Sequence, residues 1–318
     1  MLGYLLRRLG QAIIVILGVT LIVFVLSQLI PGGQARAALG PKATQSQISH
    51  FNILNGFNQP LWVQYWHYIL GLLRGDLGYS YRNNQGVTAL IINRLPKTVV
   101  LVGVSTLLAL VIAIPLGMAQ AVRRNHVFDY SMTAVSFVLY AMPAFLIGEL
   151  LILFCEFTLH WFPSQPPSDA SAWAVFTNPR AFVLPVVALA ALTVAGFSRY
   201  MRSSVLDTLT EDYIRTAKAK GGSPRRILYG HAFRNALLPI LTLLGLTLPA
   251  IVGGALIVED VFNYPGMGLL TVQSASNDDI PLVLGTTLIA TIATVVGSLL
   301  ADVLYAAADP RIRLGGDD

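Results

Sequence analysis

The amino-acid sequence predicts an all-α membrane protein with six transmembrane helices, and three observations support this fold class. Only 12% of the 318 residues are charged, about half of the roughly 25% that is usual in soluble globular proteins. The mean hydropathy of the chain is +0.65. Six long runs are apolar and almost free of charge, and about 20 such residues cross a hydrocarbon layer roughly 30 Å thick. We therefore expect a membrane protein and not a water-soluble fold.

Each apolar run must be helical, because the bilayer core contains no water that could pair with backbone N–H and C=O groups. The predicted transmembrane helices lie at about 9–30, 98–119, 131–154, 181–204, 236–258 and 281–305. No internal repeat, low-complexity tract or linker divides the sequence. The whole chain, 1–318, is therefore predicted to form a single transmembrane domain.

The positions of the basic residues predict the orientation, since Lys and Arg are enriched in cytoplasmic loops. A cytoplasmic N-terminus places the arginine pairs at 7–8 and 123–124 and the basic segment 199–234 on the inner side. Both termini are then cytoplasmic. The net charge of +5 follows from this arrangement, so we expect no binding to nucleic acid.

The first apolar run has an alternative interpretation as a cleaved leader, because Ala35-Arg36-Ala37 is similar to a signal-peptidase site. The 22 residues from 9 to 30, however, exceed the roughly 7 to 15 apolar residues of a signal peptide. We therefore expect this segment to remain as the first transmembrane helix.

The long first external loop, 31–97, is predicted to contain a helix that lies along the membrane interface. Its apolar residues recur at helical spacing and so share one face. They are Trp62, Tyr65, Trp66, Ile69, Leu70 and Leu73. The pattern favours an aromatic anchor at the interface, and a lid or docking surface for an external partner is the alternative.

The cytoplasmic segment 207–230 carries the end signals of two short helices. Thr210 is predicted to cap the first helix, which begins with two acidic residues, has lysines in its last turn and stops at Gly221-Gly222. Ser223-Pro224 is a typical start for the second helix. Neither helix is stable alone, because isolated helices need about 12 to 15 residues.

The first of these helices has a small apolar face beside positive charge. Tyr213, Ile214 and Ala217 form the apolar face, and Arg215 and Lys218 provide the charge. Such a helix is typical of one that binds in a groove of a partner protein. The pattern alone leaves a second alternative open, which is a solvated basic loop that only enforces topology.

The sequence also resembles a known family over nearly its whole length. Asp212-Tyr213-Ile214-Arg215-Thr216-Ala217-Lys218-Ala219-Lys220-Gly221, followed by residues 231–239, is similar to the cytoplasmic signature of B-type permease subunits of dipeptide and oligopeptide ABC importers. Further similar motifs follow in the family's order. They are Tyr4-Leu5-Leu6-Arg7-Arg8-Leu9, Pro31-Gly32, Gly75-Asp76-Leu77-Gly78-Tyr79-Ser80, Arg94-Leu95-Pro96-Lys97-Thr98, Glu259-Asp260-Val261-Phe262, Pro265-Gly266-Met267-Gly268, Pro281-Leu282-Val283 and Asp309-Pro310-Arg311-Ile312-Arg313.

The resemblance implies a type I ABC importer permease fold in the bacterial inner membrane. It implies that Glu211 to Gly221 form a coupling helix that binds in a cleft of a cytoplasmic ATPase subunit. The implied partners are a second, C-type permease subunit, two ATPase subunits, an external substrate-binding protein or lipoprotein, and a peptide substrate. ATP and Mg then bind the ATPase subunits, so we expect no cofactor, metal or catalytic residue in this chain.

One departure from the family pattern concerns charge. When Gly221 is aligned with the glycine of the EAA motif of ABC importers, Arg215-Thr216-Ala217 stand where that motif has Glu-Ala-Ala. The glutamate that could pair with an ATPase arginine is then missing, and Glu211 or Asp212 is the candidate replacement.

Further candidate residues lie in the third span and on the outer side. Glu149 lies inside the third predicted span, where an ionisable residue is a functional candidate. It either lines the translocation path or pairs with the second permease. The candidate contacts to the binding protein or the outer gate are Asp76, Tyr79, Glu259, Asp260, Phe262 and Tyr264.

Other classes of function are less consistent with the sequence. An ion-coupled secondary transporter is the main alternative, with Glu149 as its coupling carboxylate. An intramembrane protease is disfavoured, because every histidine lies outside the predicted spans. The sequence has no Gly-Lys pair and hence no phosphate-binding loop. The single cysteine, Cys155, cannot form an internal disulfide.

Overall fold

Helices dominate the computed structural model, which describes residues 2–29, 33–40 and 42–308. The chain divides into two compact units. The N-terminal unit consists of Leu2–Thr98 and Pro265–Val295, and the central unit consists of Val99–Tyr264 and the described residues from Val296 onward. The sequence motifs at 31–32 and 309–313 lie outside the described residues.

Long and short helices follow one another along the chain. In order, the elements are α1 (Leu2–Gln28), α2 (Gly33–Leu39), α3 (Gln45–Leu54), α4 (Leu61–Leu73), β1 (Tyr79–Ser80), β2 (Gln85–Gly86), α5 (Val87–Val122), α6 (Val127–Ala141), α7 (Ala144–Leu151), α8 (Ala174–Thr177), α9 (Val183–Thr208), α10 (Asp212–Ala219), α11 (Pro224–Ile227), α12 (Phe233–Val261), α13 (Met267–Ser276) and α14 (Ile280–Ala308). The strands β1 and β2 pair as an antiparallel hairpin.

The N-terminal unit has a small core between the start of α5, α13 and the start of α14. Val87, Met267 and Leu282 are buried together in it. A Cβ atom added to Gly285 of α14 would lie 2.5 Å from Cγ1 of Val87, so this close approach requires glycine. The hydroxyl of Thr98 accepts a hydrogen bond of 2.8 Å from the N–H of Met267 at the start of α13.

A helix is present where the interfacial helix is predicted, as α4, and it packs against α1, while its position at the membrane interface stays a prediction. The hydroxyl of Tyr65 lies 3.0 Å from Oγ1 of Thr20, and its ring centre lies 5.3 Å from that of Phe24. Trp62 and Trp66 are 75% and 59% exposed. One part of the predicted apolar face therefore contacts α1, and the other part is an exposed aromatic surface.

Two apolar clusters stabilise the central unit. One surrounds Phe182 at the start of α9 and includes Phe262, which directly follows α12. The other joins α5, α9 and α12 and includes Met201. A Cβ atom on Gly117 of α5 would lie 2.5 Å from the carbonyl oxygen of Ser198, so α5 and α9 approach closely at this glycine.

The lengths and compositions of the helices agree with a multi-span membrane protein. Within the described residues, four helices are long and apolar enough to cross a membrane, and a bent pair adds a fifth candidate if it forms one span. The predicted span 236–258 falls on α12, which has 29 residues and whose side chains at 242 and 245–254 lie outside the described ones. The helical membrane fold is confirmed, and the count of six spans and their orientation stay predictions.

The predicted third span, 131–154, is not one straight helix. A π-helical stretch, Ile152–Thr158, continues α7. The segments Val127–Ala141 and Ala144–Thr158 meet at an angle of 108°. Pro143 explains the break, because proline has no N–H to donate and disfavours a helical conformation of the residue before it. Met142 is accordingly extended, with a ψ of 135°.

Candidate functional site

The predicted cytoplasmic segment connects α9 to α12, two long helices that pack against each other. The hydroxyl of Ser204 in α9 donates a hydrogen bond of 2.9 Å to the carbonyl oxygen of Ala236 in α12. Met201 and Ile240 are buried in the cluster between the two helices. The short helices α10 and α11 are therefore attached at both ends to one packed helix pair.

The start of α10 differs from the prediction. The capping residue is Glu211, with φ −66° and ψ 148°, whereas the hydroxyl of Thr210 donates a hydrogen bond of 2.7 Å to the carbonyl oxygen of Asp207. The side chain of Glu211 is exposed and makes no capping hydrogen bond. Its carboxylate lies near the positive end of the helix dipole, which stabilises negative charge there.

The end of α10 is the one that the sequence predicts. Gly221 has a φ of +78°, which is in the left-handed region. The N–H of Gly221 donates to the carbonyl of Lys218 at 3.0 Å, and the N–H of Gly222 donates to the carbonyl of Ala217 at 3.1 Å. These two bonds form a Schellman motif, which pairs carbonyl groups that the helix leaves open.

The start of α11 also confirms its sequence signal. Oγ of Ser223 accepts a hydrogen bond of 3.4 Å from the N–H of Arg226, and Pro224 takes the first helical position. A π-helical turn, Leu228–Ala232, then leads into α12. The segment is therefore a defined pair of helices and not an irregular loop.

The apolar face of α10 packs on the protein's own chain. Ile214 is fully buried and packs with Ile227 and Ala232. The hydroxyl of Tyr213 accepts a hydrogen bond of 2.7 Å from Nδ2 of Asn235. The interpretation of Ile214 as part of a surface for a partner's groove is therefore wrong, because its side chain is not accessible.

The exposed face of α10 is polar and charged. Nη1 of Arg215 lies 3.2 Å from Oδ1 of Asp212, and the two side chains are 73% and 94% exposed. An exposed ion pair of this kind contributes about 0 to 1 kcal/mol, so a partner's charge can replace either member at little cost. The other exposed residues at this helix are Tyr213, Thr216, Lys218, Ala219 and Lys220.

A buried ion pair that the sequence analysis missed ties α6 to α9. Nε of Arg202 lies 2.6 Å from Oδ1 of Asp129, and the second Arg202 contact, from Nη2 to Oδ2, is 2.8 Å long. Asp129 is 1% exposed. The sequence feature that indicates this pair is the position of Arg202 in the predicted span 181–204, since a charge within a span requires a partner.

Glu149 lies exposed on α7. Its neighbour Gly148 faces α12, because a Cβ atom there would lie 2.9 Å from Cγ1 of Val261. Glu149 forms no ion pair with any residue that the structure describes. Its carboxylate is therefore open either to a second subunit or to a solute.

Two predicted outer contact residues, Asp76 and Tyr79, are exposed in the N-terminal unit. Oδ1 of Asp76 accepts a hydrogen bond of 2.9 Å from the N–H of Gly78. The hydroxyl of Tyr79 donates a hydrogen bond of 2.7 Å to Oδ1 of Asn84. Partial burial raises the pKa of the nearby Tyr81, and the neighbouring Tyr79 raises it further.

Of the four outer candidates in the central unit, Asp260 alone is exposed. Glu259 and Phe262 are 0% exposed and Tyr264 is 1% exposed. Burial raises the pKa of Tyr264, and the carboxylate of Glu259 raises it further. These three side chains are not accessible to another protein in this structure. The sequence-based expectation that they contact a binding protein or form an outer gate surface is therefore not met.

Comparison with known protein families covers almost the entire chain. Residues 113–314 match the family described as binding-protein-dependent transport system inner membrane component. Residues 1–102 match the family described as the N-terminal part of the membrane component of binding-protein-dependent transport systems. The two matches agree with the apolar helices of both units.

Individual relatives match over their full length. The chain is 40% identical over 315 residues to the oligopeptide transport system permease protein AppB of Bacillus subtilis strain 168, which covers 98% of this chain and 100% of the relative. It is 37% identical over 318 residues to the glutathione transport system permease protein GsiC of Salmonella typhimurium strain LT2, which covers 98% and 99% of the two chains. The chain therefore belongs to the family of inner membrane components of binding-protein-dependent transport systems and is a multi-pass protein of the bacterial inner membrane.

Proposed function

We propose that this chain is one of two homologous permease subunits of an ATP-driven importer, and that the pair forms the translocation path for peptides. An external substrate-binding protein delivers the peptide, and two cytoplasmic ATPase subunits supply the energy. The observation that carries the proposal is α10, a short charged helix fixed between α9 and α12. The relatives named for oligopeptide and glutathione transport support the choice of peptides as substrate.

A peptide needs a polar path because its backbone is costly to place in lipid. An amide without a hydrogen-bond partner costs about 4 to 8 kcal/mol in hydrocarbon, and charged termini cost far more. Two helical subunits that rock about their interface provide such a path and open it to each side in turn. Glu149, which is exposed on α7, lies either in this path or at the contact with the second permease.

The coupling residues in this proposal are those of the segment from Glu211 to Gly221. Moving a two-state equilibrium from 1:99 to 99:1 takes about 5.5 kcal/mol of differential binding, which ATP binding to the partner subunits supplies. Ile214 packs on Ile227 and Ala232, which precede α12. Tyr213 is hydrogen-bonded to Asn235 of α12, so we expect a displacement of α10 to be passed to α12. Glu211 and Asp212 offer carboxylates to an ATPase arginine in place of the glutamate of the EAA motif.

The proposed outer contacts are restricted to exposed residues. Asp76, Tyr79 and Asp260 are accessible to a binding protein. We assign no such contact to the buried Glu259, Phe262 and Tyr264.

Reconstitution in proteoliposomes tests the proposed function. This chain, its second permease, the ATPase subunits and the binding protein are expected to import labelled peptide with ATP and not with a non-hydrolysable analogue. Uptake by this chain alone on an ion gradient would contradict the proposal and favour a secondary transporter.

A cross-linking experiment tests the coupling site itself. Cys155 is the single cysteine, so Cys155→Ser gives a background in which one introduced cysteine reports one position. Thr216→Cys on the exposed face of α10 is expected to cross-link to an ATPase subunit. Ser49→Cys, which is exposed in the N-terminal unit, is the matched control and is expected to give no such product. If the complex assembles and position 216 gives no cross-link to an ATPase subunit, the assignment of α10 as the coupling site is wrong.

A further inference from the structure

A cavity of about 520 Å³ lies between α6 and α9 in the central unit, and it is open to the surface, since its lining residues Phe137, Tyr140 and Tyr200 are each more than half exposed. This volume is in the range of about 300 to 1,000 Å³ that is typical of small-molecule sites. Its lining combines aromatic rings, hydroxyl groups and two guanidinium groups. The residues that carry this chemistry are Thr133, Phe137, Tyr140, Arg199, Arg202 and Ser203.

The two guanidinium groups of the cavity differ in their charge balance. Arg202 is neutralised by Asp129, whose two oxygens it contacts at 2.6 and 2.8 Å. Arg199, one helical turn earlier in α9, forms no ion pair with any residue in the described part of the chain. The cavity therefore has an excess of one positive charge.

Aromatic rings hold the guanidinium of Arg199 in position. Its Cζ atom lies 4.2 Å from the ring centre of Phe137 and 5.5 Å from that of Tyr140, both on α6. Contacts of this kind attract the cation and orient its planar group. They do not cancel its charge, so the N–H donors keep their capacity to bind an anion.

Arg199 is a charged residue in one of the long apolar helices of the central unit. Arg199 belongs to a helix, Val183–Thr208, that is long and apolar enough to span a membrane. It lies sixteen residues after Val183, which corresponds to about 24 Å of helix, so it lies toward the predicted inner end of the span. Ionisable residues within spans are rare and mark the pathways of substrates and ions.

The fork of N–H donors in a guanidinium matches a carboxylate, which accepts two parallel hydrogen bonds from it. Hydroxyl groups of Thr133 and Ser203 line the same cavity and add further donors. We propose that Arg199 binds the C-terminal carboxylate of a peptide during its passage through the permease. This inference rests on the proposed function and adds the chemical group that the path recognises.

The test compares a peptide that has a free C-terminal carboxylate with the same peptide as its C-terminal amide. Both are imported by the fully reconstituted system, and the initial rates give an acid-to-amide ratio for each variant. The binding protein has its own preference between the two peptides. That preference is the same for all permease variants, so it cancels when the ratio of a variant is divided by the ratio of the wild type.

Arg199→Gln is expected to lower this acid-to-amide ratio by about tenfold, since the charged hydrogen bonds to the carboxylate are lost and the amide is affected little. Arg199→Lys keeps the charge without the fork and is expected to give an intermediate ratio. Arg123→Gln is the matched control. Arg123 also lies over an aromatic ring, with Cζ 5.2 Å from the centre of Phe128, but it does not line the cavity, so its ratio is expected to equal that of the wild type.

Several results would overturn the inference. An unchanged ratio in both Arg199 variants, or equal losses for acid and amide, would assign Arg199 a structural role while leaving the proposed function intact. Dependence of the Arg199 effect on the fraction of anionic lipid, without a change in ratio, would assign the site to a lipid phosphate. Failure of the wild-type complex to import either peptide with ATP would overturn the proposed function and this inference together.

Discussion

Ile214 of α10 and Ile227 of α11 lie in one buried cluster, and this packing holds the candidate coupling helix against the protein. Their exposed fractions are 0% and 4%. A helix of eight residues has little stability of its own. The orientation of α10 toward a partner therefore depends on this small cluster.

Ile214→Ala is expected to loosen α10 and uncouple ATP hydrolysis from transport. Truncation of a buried isoleucine costs about 2 to 5 kcal/mol, which is large compared with the stability of a short helix. The measurement is the ratio of peptide uptake to ATP hydrolysed, which we expect to fall. Ile53→Ala is the control, because Ile53 is 64% exposed. A normal ratio in the Ile214 variant would show that α10 does not depend on this contact.

Substitutions at Gly221 are expected to impair transport without preventing membrane insertion. Gly221→Ala forces a side chain into a left-handed conformation at a cost of about 1 to 2 kcal/mol. Gly221→Pro is expected to abolish transport, because proline also loses the N–H that pairs with Lys218 and fixes φ near −65°. Gly10→Ala serves as the control, since nothing lies within 4 Å of a Cβ atom there. Wild-type uptake in Gly221→Pro would contradict the role of this helix end.

Removal of one member of the Asp129–Arg202 pair is expected to destabilise the central unit. Asp129→Asn leaves the guanidinium of Arg202 without its charge partner, and breaking a buried pair costs about 3 to 5 kcal/mol. The measurement is the thermal unfolding midpoint of the purified protein in detergent. The exchanged pair, Asp129→Arg with Arg202→Asp, is expected to recover part of the loss. Additive losses in the double variant would mean that the two charges do not stabilise each other.

Reversal of the positive charges on α10 is expected to weaken association with the ATPase subunits. Arg215→Glu with Lys218→Glu makes the exposed face of α10 negative, and it also replaces the attraction between Arg215 and Asp212 by repulsion. The measurement is the amount of ATPase subunit that co-purifies with the permease, at two salt concentrations. Lys42→Glu with Arg74→Glu reverses two exposed charges in the loop that is predicted to be external, and it is the control. Equal recovery of ATPase from both double variants would show that the charges of α10 do not contact it.

Features that depend on neighbours along the chain were predictable from the sequence. The glycine at 221 ends α10, and Ser223 with Pro224 starts α11, because a cap needs only the residues within one helical turn. Thr210 was assigned the wrong role for a related reason. Its hydroxyl can accept a bond from a helix N–H or donate one to a nearby carbonyl, and the bond to Asp207 formed in place of a cap.

The sequence by itself determined that this protein is a helical membrane protein, where α10 ends and where α11 starts, since apolar length and local caps act within a single segment. The tertiary structure decided which face of each helix is covered. Ile214, Phe262 and Tyr264 are buried and Glu149 is exposed, and Arg199 lies over rings of α6 while Arg202 pairs with Asp129. The physical reason is that burial and charge pairing depend on which helices meet, and the periodicity of one helix carries no information about its neighbour.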